Sequence, residues 1–428
     1  MLFPKPTRGL GQLLGPSVLL VAMAINGGEL LLWPNIVAQS GFEVIWTVPV
    51  ILLLQYFVNL EIERYVTVTG ESTLTGLLRL GRWLSPLFIV SIIVSLAWPA
   101  WAAPAGQMLG YLLGLEDFGA LFGILILAGL ALIWQSPSSY KILEVVAKVG
   151  LVAVLGIVVS TLATQWDPAL PAAVGNGLLN FGNFPQDINR FAMLSALAFG
   201  GVVGVLNLAQ SDWVQSKGYG AAGVEKPERI DWSNPESVRN FRAWWRLLRQ
   251  EHAIIYYLGN VVGIILLAAL AYVTLAGETV SGFAILTRQV EVLGGGVGRL
   301  FGTAVILIFV LAQMTILDAM GTLLKRCFES SSPLLRSLPK ARISQIMAGV
   351  GMVILALSYL IPSFAQPVFL LQLSASLSAG VMVLYPPLLL KLNRSLPAPV
   401  RPGIVAQSMV VACVIFYAIV IGWSLLGA

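Results

Sequence analysis

The residue best suited to chemistry in this sequence is a carboxylate inside an apolar, glycine-interrupted segment. Glu29 follows Asn26, Gly27 and Gly28 and precedes three leucines. A carboxylate at the centre of a membrane helix costs roughly 2.5–3.5 kcal/mol, so it should face the interior of a helix bundle. We therefore predict that Glu29 binds or shuttles an ion or a solute. The alternative is that its charge only stabilises the N-terminus of the helical segment that follows it.

A second glycine-rich interruption lies in the middle of the chain. Gly200, Gly201 and Gly204 stand in an apolar segment and are followed by Asn207. A single glycine pair often serves close helix packing. Two interruptions in corresponding helices point instead to a transporter site, because an unwound turn frees backbone groups that a bound ion or solute can satisfy. We predict that these four residues contribute to a binding site.

Three further polar residues in apolar segments are candidates for binding or coupling. Asp212 follows the second interruption, and Asp318 lies one turn after Thr315. Either carboxylate is a candidate ligand for a coupling ion or a candidate proton carrier; for Asp318 the rival is an internal hydrogen-bonding role. Gln313 precedes Asp318 in the same segment and supplies an amide oxygen as a candidate ligand.

The composition requires that the elements holding these residues cross a membrane. Of 428 residues, 57% are apolar and 11% are charged, whereas a soluble protein has about 25% charged residues. This excludes a soluble enzyme, a disordered chain and a nucleic-acid binder. Each charge-free segment reaches or approaches the ~20 residues of one helical span. These segments are 9–28, 44–60, 83–115, 118–140, 149–166, 191–211, 253–277, 300–317, 343–390 and 402–428.

The number and orientation of the spans follow from the prolines and the positive charges. Pro362 and Pro367 divide the overlong segment 343–390, which gives eleven helices in an all-α polytopic membrane protein. With the N-terminus in the cytoplasm, 21 Lys and Arg residues lie on the inner side and three lie outside. This bias favours a cytoplasmic N-terminus and an outer C-terminus. The net charge of +5 is then a topology signal, and 218–250 is the one sizeable cytoplasmic loop.

The sequence offers no set of residues for enzyme chemistry. His252 is the only histidine and begins the seventh predicted helix at its cytoplasmic edge, while Cys327 and Cys413 fall in different helices. These residues do not form a catalytic zinc site. The chain also lacks a glycine-rich phosphate loop ending in Lys-Ser/Thr, which argues against ATP-driven pumping by this chain alone. We expect no enzyme activity and no resident cofactor; the expected partners are the lipid bilayer and a small ion or solute.

The order of short motifs resembles that of the NRAMP divalent-metal transporters, within the amino acid–polyamine–organocation superfamily. The motifs that carry this resemblance are Leu14-Gly15-Pro16, Arg64 followed by Val68-Thr69-Gly70, Ala312-Gln313 followed by Thr315, and Leu377-Ser378 followed by Pro387-Leu388-Leu389-Leu390. The resemblance implies a single domain with the inverted-repeat, LeuT-type fold, acting as a monomer by alternating access. Its repeats would be helices 1–5 (about 12–164) and helices 6–10 (about 190–392), with helix 11 at about 403–426.

The departures from that family fall at the expected binding site. Where the family has Asp-Pro-Gly-Asn in helix 1, this chain has Asn26-Gly27-Gly28-Glu29, and Gly204-Val205-Leu206 stands where the family has Met-Pro-His. The loss of the thioether removes a ligand that favours soft transition metals. Asn26 and Glu29 are then the expected metal ligands, with freed carbonyls, Asn207 and Gln313 as further oxygen donors. Such a set suits a hard cation such as Mg²⁺, Mn²⁺ or Ca²⁺, and makes proton coupling optional.

Two other functions remain open on the sequence alone. The segment Asn26-Gly27-Gly28 also resembles the glycine-rich helix 1 break that holds a substrate carboxylate in amino-acid transporters of the same superfamily. Ala198-Phe199-Gly200 similarly resembles the aromatic–glycine break in their helix 6. The chain would then carry a small organic solute, with Glu29 binding an amine or a proton. A third hypothesis is a non-transporting receptor, which would leave the two broken helices without a function.

Overall fold

The computed structural model describes residues 1–6, 28–133, 139–185, 188–202, 204–275, 278, 280–331 and 334–426. Two predicted site residues, Asn26 and Gly27, lie outside these ranges. Within them the chain is helical and contains no β-strand. The α-helices in these ranges are α1 (Trp33–Ser40), α2 (Thr47–Thr69), α3 (Thr73–Leu78), α4 (Leu84–Leu96), α5 (Ala102–Leu113), α6 (Gly119–Ile133), α7 (Ser139–Thr164), α8 (Leu170–Leu179), α9 (Arg190–Ala198), α10 (Leu206–Lys217), α11 (Pro235–Glu251), α12 (Gly259–Leu275), α13 (Ala284–Leu293), α14 (Gly295–Ser331), α15 (Lys340–Leu357), α16 (Pro367–Arg394) and α17 (Ile404–Leu425). Two π-helical turns, Gly28–Leu32 and His252–Leu258, lead into α1 and α12.

Six helical stretches of the described chain are long and apolar enough to cross a membrane. They are Glu116–Ile133, Pro235–Leu275, Gly295–Ser331, Lys340–Leu357, Pro367–Arg394 and Ile404–Leu425. Helix α2 is also long enough at 23 residues, but it carries three charged residues, Glu61, Glu63 and Arg64. These three side chains are buried, so their charges belong to the interior of the bundle. The chain is therefore an all-helical membrane protein whose interior is partly polar.

The prolines divide the apolar segments in one predicted place and one unpredicted place. The segment 343–390 is two helices, because α15 ends at Leu357 and α16 begins at Pro367. The segment 83–115, which was expected to be one helix, is also two, since α4 ends at Leu96 and α5 begins at Ala102. Pro99 lies between them, and a proline inside a helix removes a backbone hydrogen bond and clashes with the preceding turn.

Helix α14 forms the centre of the bundle. It is 37 residues long, and most of its apolar part is buried inside the protein. It packs against α4, α5, α7 and α15, while α2 packs against α10 and α17. On the remaining side, α9 packs against α16 and α12 packs against α1. The helices that adjoin the two glycine-rich segments, α1 and α9, therefore each pack against a longer helix.

Glycines allow a close helix contact between α5 and α6. A Cβ atom at Gly106 would lie 2.3 Å from the amide nitrogen of Gly123 and 2.4 Å from the carbonyl oxygen of Gly119. Small residues let membrane helices approach until their backbones touch. The contact fixes the position of α5, and with it the amide end of that helix near the centre of the protein.

We expect Gly106→Ala to separate α5 from α6 and to lower the free energy of unfolding by about 1–3 kcal/mol, as overpacking a tight contact does. The measurement is thermal unfolding of the purified protein in detergent. Gly129→Ala in α6 is the matched control, because a Cβ there meets no atom within 4 Å. An unfolding midpoint equal for both variants would show that the glycine contact does not determine the packing of these helices.

Candidate functional site

The second glycine interruption is a break between two half-helices. Helix α9 ends at Ala198 and α10 begins at Leu206. Gly204 has a left-handed φ of +70°, and a Cβ there would lie 3.0 Å from the Cβ of Ser378 in α16. Both the backbone conformation and the space require glycine at this position. The break is where the glycine pattern predicted it, and it leaves the backbone ends of α9 and α10 in the protein interior.

The described part of helix 1 meets this break directly. A Cβ at Gly28 would lie 2.2 Å from the carbonyl oxygen of Phe199, just after the end of α9. A Cβ at Gly200 would lie 3.4 Å from the indole nitrogen of Trp33 in α1. Gly28 also begins a π-helical turn, a form that is frequent at functional sites. The structure thus brings two predicted site segments, far apart in the sequence, into backbone contact.

Glu29 lies at this junction. It follows Gly28, and none of its surface is exposed. It interacts electrostatically with Tyr256 of the π-helical turn before α12. The hydroxyl of Tyr256 donates to Gln55 Oε1 at 2.6 Å, and Gln55 Nε2 donates to the hydroxyl of Tyr417 at 2.8 Å. A buried carboxylate needs polar neighbours of this kind, because an isolated charge in an apolar interior is very costly.

Gly201 closes the same polar cluster from the side of the broken helix. A Cβ there would lie 2.3 Å from Gln55 Oε1 and 2.7 Å from the Tyr256 hydroxyl. The absence of a side chain therefore lets Gln55 and Tyr256 approach the break. Glu29, Gly200 and Gly201 are thus brought together around one polar centre. Sequence reasoning did not assign Tyr256 or Tyr417 to it, although both are polar side chains within apolar spans.

A polar stripe on α2 leads away from this centre. It consists of Gln55, Asn59 and Glu63, which are spaced four residues apart, face one side of the helix and are fully buried. Asn207, at the start of α10, donates through Nδ2 to Asn59 Oδ1 at 2.7 Å. Gln210 donates to Glu63 Oε1 at 2.5 Å. The predicted site residue Asn207 is therefore hydrogen-bonded to the same face of α2 that carries Gln55.

His252 extends the stripe and is fully buried within the protein. Its ring stacks on Tyr256 at 4.7 Å, and its Nδ1 lies 3.8 Å from Glu63 Oε1. Both rings belong to the π-helical turn His252–Leu258.

Gln313, a predicted ligand, binds the N-terminal end of a helix through its side-chain oxygen. Its Oε1 accepts a hydrogen bond from the amide of Ala102 at 3.0 Å. That amide belongs to the first turn of α5, and the first amides of a helix have no partner within the helix. The side chain of Gln313 therefore satisfies the helix end that the Pro99 interruption creates. The ring of the adjacent Trp101 lies 5.7 Å from the Phe199 ring and is tilted by 39° to it.

The other two candidate carboxylates each form an ion pair between helices. Asp212 in α10 lies 2.9 Å from the guanidinium of Arg326 in α14 and accepts a hydrogen bond from Ser72. Asp318 in α14 lies 2.8 Å from the ammonium of Lys340 in α15. Both pairs connect helices near their Lys- and Arg-rich ends.

The described residues contain no group of three or more His, Cys, Asp or Glu side chains able to hold a metal ion. A cation at the junction would therefore be bound by the Glu29 carboxylate together with amide, hydroxyl, backbone or water oxygens. This mixture is the ligand type that hard divalent cations accept. The same carboxylate would also hold an amine of an organic solute.

Comparison with solved structures identifies proteins with a similar fold. No family model matches this sequence, and no curated protein matches it. Among solved structures, a variant of the Eremococcus coleocola manganese transporter matches with a TM-score of 0.72 at 14% identity, over 97% of this chain and 87% of that chain. The same transporter in complex with an aromatic bis-isothiourea substituted compound matches at 0.68 and 13%, over 95% and 84%.

A second kind of transporter shares the architecture less closely. A nucleobase-cation-symport-1 family transporter, in a closed conformation with bromovinylhydantoin bound, matches with a TM-score of 0.58 at 13% identity, over 98% of this chain and 94% of that chain. At these identities the likeness concerns the fold alone. The chain is an integral membrane protein that has the LeuT-type fold of these transporters.

Proposed function

We propose that the protein is a secondary transporter that moves a hard divalent cation, such as Mg²⁺, Mn²⁺ or Ca²⁺, by alternating access. The observation that carries the proposal is the fully buried Glu29 beside the contact between Gly28 and the break that follows α9. The fold shared with a manganese transporter supports it. The moving parts would be the five-helix repeats, helices 1–5 and 6–10, with the N-terminus in the cytoplasm.

The choice of a hard cation rests on the donor atoms around Glu29. The side chains of Gln55 and Tyr256, which face Gly201 of the break, offer oxygen, and Gly204-Val205-Leu206 supplies no sulfur where NRAMP transporters have methionine. Oxygen ligands suit Mg²⁺ and Ca²⁺, and Mg²⁺ commonly keeps several of its waters when it binds. A single carboxylate with a partly hydrated ion therefore fits the site better than a transition metal that prefers sulfur or imidazole.

The structure also supports a closed state of an alternating-access cycle. Glu29 has no exposed surface, so a substrate reaches it only when helices separate. The polar stripe Gln55–Asn59–Glu63 provides the route from Glu29 towards the Lys- and Arg-rich face. The pairs Asp212–Arg326 and Asp318–Lys340 hold α10, α14 and α15 together on that face, and opening would break them.

An organic solute is the second candidate substrate. It is favoured by the fold shared with a transporter that has bromovinylhydantoin bound, and by the Phe199-Gly200 break beside Glu29. In that case Glu29 would bind an amine or carry a proton. Metal binding by the purified protein separates the two candidates.

We expect isothermal titration of the purified protein with Mg²⁺, Mn²⁺ or Ca²⁺ to show saturable binding. Glu29→Gln keeps the side-chain volume but removes the charge, so it should weaken binding by about tenfold or more, which corresponds to about 1.4 kcal/mol. No heat with any of the three cations, together with thermal stabilisation by an organic compound, would contradict the cation proposal and favour the organic solute.

In liposomes, Glu29→Ala should abolish uptake of the transported cation, because the substitution removes the only carboxylate at the junction of the described helices. Cation uptake is followed with a dye enclosed in the vesicles. Glu43→Ala is the matched control, since this carboxylate is exposed and lies outside the junction. Unimpaired uptake by Glu29→Ala would place the substrate site elsewhere.

We further expect cation uptake to proceed without proton flux. Asp212 and Asp318 lie against the cationic side chains of Arg326 and Lys340, so a proton would have to displace a charged partner to reach either carboxylate. An enclosed pH dye should therefore stay constant while the cation enters. Acidification of the lumen in step with uptake, lost in Asp212→Asn or Asp318→Asn, would contradict this and assign proton transfer to that carboxylate.

A further inference from the structure

A basic groove lies between α2 and α11, apart from the Glu29 site. Its volume is about 490 Å³, and its lining includes Tyr56, Trp245 and three arginines, Arg242, Arg246 and Arg249. The arginines are spaced at i, i+4 and i+7, so they share one face of α11. All three are exposed, and the described chain places no carboxylate within ion-pair distance of them. The groove thus concentrates positive charge that the protein itself leaves uncompensated.

The groove is held in shape by contacts on its other sides. Phe241, Trp244 and Leu248 bury the opposite face of α11 in the core. The Tyr56 hydroxyl of α2 donates to the carbonyl oxygen of Arg249 at 3.3 Å. The Trp245 ring lies 4.0 Å from the guanidinium carbon of Arg64, itself a buried residue of α2. The arginines therefore stand on a helix that is fixed against the membrane bundle.

The position of the groove matches the boundary between lipid headgroups and acyl chains. Helix α11 and the helical segment after it form one stretch, Pro235–Leu275, whose apolar part follows the arginines. One and two turns beyond them, Ile254 and Leu258 are 49% and 52% exposed. Leu53, three residues before Tyr56 on α2, is 40% exposed. Apolar side chains thus face the lipid directly next to the guanidinium groups.

We propose that this groove binds the phosphate headgroup of an anionic phospholipid, with the acyl chains along Leu53, Ile254 and Leu258. Guanidinium groups donate two parallel hydrogen bonds to phosphate oxygens, which an ammonium cannot do. Tryptophan and tyrosine are the side chains that favour the headgroup layer. Basic pockets beside membrane helices on the positively charged side recognise such headgroups. The proposal is independent of the transported substrate.

Native mass spectrometry of the full-length protein in detergent tests the proposal. Phosphatidylglycerol and phosphatidylcholine of the same chain length are the probes, and glycerol 3-phosphate is the soluble source of the same phosphate chemistry. We expect a phosphatidylglycerol adduct that is preferred over phosphatidylcholine. The triple variant Arg242→Gln, Arg246→Gln, Arg249→Gln should weaken it by about fivefold or more for each arginine, as juxtamembrane basic residues do.

A matched triple variant separates the groove from overall charge. Lys226→Gln, Arg229→Gln and Arg239→Gln remove the same three charges from exposed positions of the same loop, and should leave the preference for phosphatidylglycerol unchanged. A thermal unfolding midpoint equal to that of the unmodified protein confirms that both triple variants are folded. An equal loss in both variants, no loss in either, or equally tight binding of glycerol 3-phosphate would overturn the proposal.

Discussion

The constraint on which the structure depends is the burial of one carboxylate inside a membrane bundle. Glu29 has no exposed surface, and a charge in such a place is stable only among polar groups. Glycines make these polar contacts possible, because they have no side chain at the positions where polar groups approach the backbone. Gly28 lets helix 1 touch the end of α9, and Gly201 lets Gln55 and Tyr256 reach the break.

Each interruption of a helix exposes backbone groups that need partners in the apolar interior. At the Pro99 interruption the partner is a side chain, because Gln313 accepts from the amide of Ala102. At the second break the backbone ends of α9 and α10 lie beside Glu29 and the polar cluster. A substrate that brings oxygen atoms or positive charge to that place would complete it. The fold, the positions of the glycines and the proposed transport activity thus all follow from the need to give buried polar groups a partner.

The sequence predicted the parts of the structure that depend on local patterns. The charge-free segments predicted six helical stretches that the described chain shows to be long and apolar enough to cross a membrane. Pro362 and Pro367 marked the division between α15 and α16, and the glycines marked the break before α10. The interruption at Pro99 was missed, although the segment 83–115 is 33 residues long and contains both Pro99 and Pro104. Contacts between distant positions, such as Gln55 with Tyr417 or Asp212 with Arg326, depend on how the helices pack, which a single sequence does not encode locally.

The central claim is that a divalent cation binds at Glu29, beside the break between α9 and α10. A crystal of the protein soaked in Mn²⁺ and measured for anomalous scattering tests it most directly. The account predicts a peak within about 2.0–2.6 Å of a Glu29 carboxylate oxygen, the range of oxygen ligands to hard cations. A peak only at other carboxylates, or an organic molecule in the junction with no anomalous signal, would contradict it.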